Sequence, residues 1–447
     1  MLDSASTLDG KFVGETSSSE VDLYLDRCQV DTPAALVEQT WQLISKRRSN
    51  LGLVIDFGAG DGRFAHHGSY QEYVGYEIDS GRYAAACLPS NARMINACAF
   101  SAPPSQASLA CGNPPFVRNQ DLPEGWSESA ASVVFDRTGV RISGLANAWQ
   151  YFFFLSLAST APDGLVALVI PYEWVSRPSS ASLRQYIQTS GWDVSVYRLD
   201  DRTFPSVLTT SSITIVDKQG TGKWRYFKQT GDNQFYEMTS PSGEHAVLAY
   251  KSASCDVKVK RGLSPGTQRY LTLTEEERRA HRLKQGRDVV PCVTSLKPTS
   301  GELLRLTPAR FERDYVHAGE KCWLVRTDKA PSAVLNSYLE SVPLDGRQTS
   351  TCRARPIWWE FTMPEQPKAL VASGFRGRPK ILINQVGAVA VGTVYGLFAP
   401  SAAAAERMVR KLRDVDYEGR VVAHSNGLHK LEVNQINSLI GELDGRP

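Results

Sequence analysis

Leu53-Val54-Ile55-Asp56-Phe57-Gly58-Ala59-Gly60-Asp61-Gly62 decides the architecture of this 447-residue chain. An apolar run closing on an acid reads as a buried strand. The glycines behind it allow a tight turn with positive φ and a close backbone approach to a ligand. Working outward, Tyr73-Val74-Gly75-Tyr76-Glu77 and Ser108-Leu109-Ala110-Cys111 read as further strands, as do 165–170 and 212–216. Ala148 to Ala158, with Trp149, Phe152, Phe153 and Leu157, is apolar enough for a buried helix. Strands alternating with helices predict an α/β fold with a mainly parallel sheet covered on both faces. Ligands of such sheets sit at the carboxyl ends of the strands, where the Gly-rich turn, Glu77 and Asn113 all fall.

The length calls for two or more domains. Polar, turn-rich Lys218-Gln219-Gly220-Thr221-Gly222-Lys223 predicts a boundary, giving domains 1–220 and 221–447. The second half mixes Gly and Pro turns, the aromatic cluster Trp358, Trp359 and Phe361, a strand-like run over 380–394 and an Ala-rich helix over 401–412, an α+β pattern without a fixed-period repeat. The net charge of +3 divides unevenly. Residues 1–220 carry 16 Lys and Arg against 23 Asp and Glu, and residues 221–447 carry 34 against 24. An acidic half and a basic half that meets a polyanion is one reading; two solvated surfaces is the other.

No apolar run is long enough for a membrane span. Residues 1–14 lack the basic-then-apolar pattern of a signal peptide, and too few residues precede Thr32 to make a nuclease domain. The eight cysteines are scattered without a C-x-x-C pair, so reduced thiols in a cytoplasmic protein are expected, with neither disulfides nor zinc. The seven histidines form no ligand spacing, and no metal is expected.

The turn spells G-x-G-x-G, with Arg63 where a dinucleotide fingerprint has its third glycine, which argues against NAD or FAD. Glu77, about twenty residues on, suits a carboxylate that accepts from both hydroxyls of a ribose. Asn113-Pro114-Pro115-Phe116 is the sharpest signal. Two prolines stiffen the backbone and leave carbonyl acceptors without competing N–H donors. With the Asn113 side-chain oxygen they can hold both hydrogens of an exocyclic amine, drawing the nitrogen towards sp³ geometry and freeing its lone pair. Phe116 offers a face on which a planar substrate stacks. Segment 117–145, rich in Gly, Ser and charge, reads either as the border of a substrate channel or as an ordinary surface loop.

Together, Asp56-x-Gly58-x-Gly60-x-Gly62, Val74-Gly75-Tyr76-Glu77-Ile78-Asp79 and Gly112-Asn113-Pro114-Pro115-Phe116 resemble the gamma-class, TaqI-like adenine methyltransferases of restriction-modification systems. Asp31-Thr32-Pro33-Ala34-Ala35-Leu36-Val37 is similar to the helix start before their cofactor strand. The resemblance implies a Rossmann-like class I methyltransferase domain followed by a target-recognition domain. Arg261-Gly262-Leu263-Ser264-Pro265-Gly266, Arg355-Pro356-Ile357-Trp358-Trp359-Glu360 and Ser425-Asn426-Gly427-Leu428-His429-Lys430-Leu431-Glu432 look like pieces of the latter. It further implies S-adenosylmethionine held by Thr32, Asp56, Gly58, Gly60, Glu77 and Asn113, and catalysis by Asn113, Pro114, Pro115 and Phe116. Leu199-Asp200-Asp201-Arg202-Thr203-Phe204-Pro205 resembles the family segment that stacks on the target base, nominating Phe204 beside Phe116. The family's acid for the cofactor adenine is missing from 94–100, where Asn96 is the candidate substitute.

The implied reaction is N6 methylation of an adenine flipped out of duplex DNA, by a monomer that can stand beside a cognate restriction endonuclease. Three alternatives stay open: an RNA adenine or protein glutamine acceptor, a cytosine amine, and a DNA-binding protein with a decayed methyltransferase core.

Overall fold

A computed structural model describes residues 30–144, 146–204, 210–243, 247–250, 255–299, 305–417, 419–425 and 428–445. Residues 1–14, Cys28, Leu145, Pro205, Asn426 and Gly427, all read above, lie outside them. Two units emerge from the contacts, the first running to residue 245 and the second taking most of the remainder.

The first unit is built on strands β1 (Leu51–Phe57), β2 (Tyr70–Glu77), β3 (Ala92–Asn96), β4 (Ala107–Gly112), β5 (Thr160–Pro171), β6 (Asp193–Arg198), β7 (Ser211–Asp217), β8 (Trp224–Gln229) and β9 (Phe235–Met238). They form one sheet in the order β3-β2-β1-β4-β5-β7-β6-β8-β9. β1 to β5 run parallel to one another, and β7 is antiparallel to both β5 and β6. This is the mainly parallel α/β sheet expected from the sequence, with β7 reversed. The chain winds one way through β1, β2 and β3 and the other way through β4 and β5. The switch point, where a ligand crevice opens, therefore lies between β1 and β4.

Full burial explains why these strands read as continuous apolar runs. Residues 165–171 of β5 are all buried, and β7 is buried from Ser211 to Val216. One face carries helix α1 (Ala34–Ser45), whose Leu36, Val37, Thr40, Trp41, Leu43 and Ile44 recur at helical spacing and are all buried. They share a core with Val54, Tyr73, Leu109, Leu165, Ile213 and Ile215. Helices α2 (Ser80–Ala85), α3 (Trp126–Thr138), α4 (Ala148–Ala158) and α5 (Ala181–Thr189) complete the unit. α4 is buried along all but its last residue, as its aromatic content predicts.

Two sequence expectations are corrected. The stretch 218–223 joins β7 to β8 inside one sheet, with Asp193 Oδ1 accepting from the backbone N–H groups of Thr221 (2.7 Å) and Lys223 (2.8 Å). Its polar residues mark a turn, and the first unit runs on past residue 220. Segment 117–145 contains the 13-residue helix α3. Only Ala130 and Val134 of α3 are buried, too narrow an apolar stripe to stand out in the sequence. Left-handed Gly125 and Gly139 flank it.

The second unit is α+β. A five-stranded sheet pairs Lys258–Lys260, Val394–Phe398, Ala369–Ala372, Ile381–Asn384 and Arg305–Leu306 in that order. A four-stranded sheet joins Thr272–Leu273, Trp323–Val325, Val289–Val293 and Val389–Ala390. The run 380–394 thus holds two short strands, Ile381–Asn384 and Val389–Ala390, and the first residue of a third, and the Ala-rich stretch is a helix, Ala402–Arg413. Trp358, Trp359 and Phe361 pack against a core that includes Phe311, Trp323 and Leu370. Among the described residues no helix is long and apolar enough to cross a membrane.

Candidate active site

A cavity opens at the carboxyl ends of β1, β2 and β4. Thr32, Asp56, Gly58, Gly60, Glu77, Asn113 and Pro115 line it, so the structure brings together seven of the residues nominated from the sequence. Gly58 and Gly60 have φ of 84° and 60°, the left-handed backbone that the turn requires. The backbone N–H groups of Gly58 and Ala59 both donate to the Tyr76 carbonyl at 2.9 Å, folding the turn back onto β2.

Glu77 ends β2 and is 8% exposed. Its Oε2 accepts from the Gly60 N–H at 2.7 Å and its Oε1 from the Asp79 N–H at 2.8 Å. Each oxygen keeps a further lone pair for a hydroxyl of a ligand. Burial raises the carboxyl pKa, opposed by those two N–H groups and by nearby Arg82.

Asp56, 1% exposed, is more strongly perturbed. Burial pushes its carboxyl up to about 7, against the Tyr73 hydroxyl that donates to Oδ2 at 2.8 Å, while the charges of Glu77 and Asp61 push it further. Its Oδ1 is buried without a partner. Gly112, at φ +141°, packs so closely that a Cβ there would stand 2.2 Å from that oxygen. The glycine ending β4 is therefore a steric necessity of Asp56.

Asn113 follows directly. Its Nδ2 donates to Thr32 Oγ1 at 3.0 Å, and its Oδ1 is buried with no hydrogen-bond partner among the described residues. An unused acceptor is costly in a folded protein and points to a donor supplied from outside. The loop beyond is pinned to the start of α4, where the Ala148 N–H donates to the Val117 carbonyl at 2.9 Å and the Asn119 N–H to Asn147 Oδ1 at 3.2 Å.

Four nominated residues do not line the cavity. Pro114 is buried and Phe116 half-buried beside it in the chain, and neither forms its wall. Asn96 turns its amide to the backbone, donating to the carbonyls of Glu77 (2.8 Å) and Ile78 (3.3 Å). The wall there is Ala97, Cys98 and Ala99, with the Cys98 thiol pushed up by burial. Phe204, 6% exposed, sits in the core with Leu199, Tyr197 and Ile213.

The sequence reading missed other wall residues. Trp126 stacks at 6.4 Å on Phe152 and meets Phe100 edge-on at 5.4 Å. Arg63 and Arg82 face Asp31 across the mouth. Trp126 had no signal beyond its Gly-led helix start, and Arg63 was legible only as an absent glycine.

These residues fit S-adenosylmethionine. Ile78, Ala97, Cys98, Pro115, Trp126 and Phe152 make an apolar slot for a base. Glu77 suits a ribose diol, and the lining also holds the acids Asp31, Asp56 and Asp61 beside Arg63 and Arg82.

Residues 243–412 match the model of the C-terminal domain of the type II methyltransferase M.Eco57I. The type II methyltransferase M.XamI of Xanthomonas campestris pv. amaranthicola is 22% identical over 450 residues, covering 92% of this chain and 84% of its own. The chain is similar to type II restriction-modification methyltransferases. Among solved structures, the type IIG restriction endonuclease BpuSI aligns over 92% of this chain and 58% of its own at 11% identity and a TM-score of 0.43. The methyltransferase subunit of a type I restriction-modification system from Streptococcus thermophilus aligns over 47% of this chain and 50% of its own, at 18% identity and a TM-score of 0.38. The chain thus spans about half the length of those two solved chains.

Proposed function

We propose that this protein methylates the N6 amino group of adenine in duplex DNA, with S-adenosylmethionine as donor. What carries the reading is Asn113 Oδ1, a buried acceptor at the wall of the cavity without a partner among the described residues. The similarity to type II methyltransferases in both halves supports DNA as the acceptor.

Thr32, Asp56, Gly58, Gly60 and Glu77 would hold the cofactor, which when bound supplies an electrophilic methyl group. The target base must leave the stack to reach the cavity, at a cost of a few kcal/mol. Phe116, half-buried and outside the cavity wall, would have to turn towards the base for stacking to offset that, by about 1–3 kcal/mol. Phe204, sealed in the core, serves packing instead. Asn113 Oδ1 and the Pro114 carbonyl accept the two amine hydrogens and aim the nitrogen lone pair. The nitrogen would take the methyl group as that group's bond to the donor's sulfonium sulfur breaks and leaves a neutral thioether, and one proton would pass to solvent, so positioning rather than a strong base would provide the acceleration.

A competition separates the acceptors. Duplex DNA, transfer RNA and a translation release factor are offered together with labelled cofactor. Label in DNA is expected, and label confined to RNA or to protein would overturn the reading.

A further inference from the structure

Arg63 stands directly after the glycine turn, and Asp61 fixes its guanidinium through Nε–Oδ1 (2.8 Å) and Nη2–Oδ2 (2.6 Å) contacts. So clamped, the guanidinium presents Nη1 to the carbonyl of Thr32, to which it donates. Nη2 also lies 3.1 Å from Asp31 Oδ2, and Arg82 holds the other oxygen of that carboxylate. Residues 31–32 are thereby tied at three points, two through Arg63 behind the glycine turn and one through Arg82 of α2. Thr32 is only 4% exposed, and its hydroxyl oxygen receives the Asn113 Nδ2–H.

An asparagine amide is nearly symmetric in shape, yet its two ends are opposite in chemistry. Turned over, it would set an NH₂ group against an amine, donor against donor. With the Thr32 hydroxyl accepting its Nδ2–H, Asn113 keeps Oδ1 open. A hydroxyl can donate as well as accept, so what Thr32 fixes is the position of the amide. Hydrogen bonds weaken steeply with distance and angle, so that hold lasts only while Thr32 stays in place. Arg63 holds the Thr32 carbonyl.

We infer that Arg63 is a positioning residue for Asn113, acting through Thr32. The inference rests on the amine-methylation reading, but the amide geometry can be tested apart from it. In cofactor-free protein, exchange of the Asn113 side-chain amide protons is followed by NMR, with Asn113→Asp identifying the resonances. Faster exchange is expected in Arg63→Met. Arg63→Lys, which cannot clamp Asp61 in two places while reaching Thr32, should behave likewise and serves if Arg63→Met melts too low. Unchanged exchange in a folded variant would overturn the inference.

Single-turnover methylation of duplex DNA at saturating cofactor provides the second measure. Arg63→Met and Thr32→Val should each slow the step by about 10- to 100-fold, the scale of an ångström's misplacement. The double variant should be no slower than the worse single one, because both substitutions break one path. Losses that multiply would assign Arg63 a separate role and overturn the inference. A parent that methylates no DNA would remove the DNA reading, while the exchange result still decides Arg63.

Discussion

At the residue scale, chemistry concentrates where polar groups are buried with less than their full set of partners. Asp56 takes up its proton near pH 7 in the folded protein and near 3.8, its ordinary value, when unfolded. Between those two pH values the native state binds more protons, so the stability from this group falls as pH rises towards 7 and is level above. Asp56→Asn removes that dependence. Its melting temperature relative to the parent should therefore rise from pH 5 to pH 8 in thermal melts, and a constant difference would speak against the buried proton. Gly112→Ala forces a Cβ onto Asp56 Oδ1 at a φ that L residues avoid, and should cost about 1–3 kcal/mol in denaturant unfolding. Asn113→Ala should lower the methylation rate by about 10²-fold, the scale of removing one preorganised polar group, with cofactor binding retained in calorimetry.

The residues legible beforehand were those whose type is dictated by backbone or local chemistry: Gly58, Gly60, Glu77 and Asn113. Arg63 and Arg82 were not, because their meaning lies in partners such as Asp31 that only the fold brings near. Asn96 carried the right chemistry at the right strand end, but its amide satisfies the backbone instead.

At the scale of elements, the parallel strands declared themselves through unbroken apolar runs, since both faces of the sheet are covered. Helix α3 did not, because it buries little and contributes to the site through Trp126 at its first turn. Trp126→Ala removes ring contacts to Phe100, Tyr151 and Phe152. It should weaken cofactor binding measured by calorimetry more than it lowers the melting temperature. Phe204 gives the opposite expectation. Truncation to alanine in that core should cost about 3–5 kcal/mol of stability while the methylation rate per folded molecule is kept. A rate loss without a stability loss would restore its stacking role. The segment around Phe204 looked functional because an aromatic beside charged residues reads alike in a core turn and in a substrate wall.

At the scale of the whole molecule, an acidic first half and a basic second half suit a division between cofactor chemistry and a polyanionic substrate. Binding of duplex DNA by the full chain should then weaken steeply with salt, by about 10³-fold or more between 50 and 200 mM if six or more phosphates are engaged. A filter or anisotropy titration reads that slope directly, and a flat response would detach the basic half from DNA. The boundary between units was the least legible feature at this scale. Turn chemistry at 218–223 looks the same inside a sheet as between domains, and only the pairing of β8 with β6 distinguishes them.

The central claim is that Asn113 prepares an adenine amine for methylation. Nucleoside mass spectrometry of duplex DNA incubated with the protein and S-adenosylmethionine tests it most directly. N6-methyladenine is the expected product, formed about 10²-fold more slowly with Asn113→Ala. N4-methylcytosine, or unmodified DNA from protein that binds the cofactor, would contradict it.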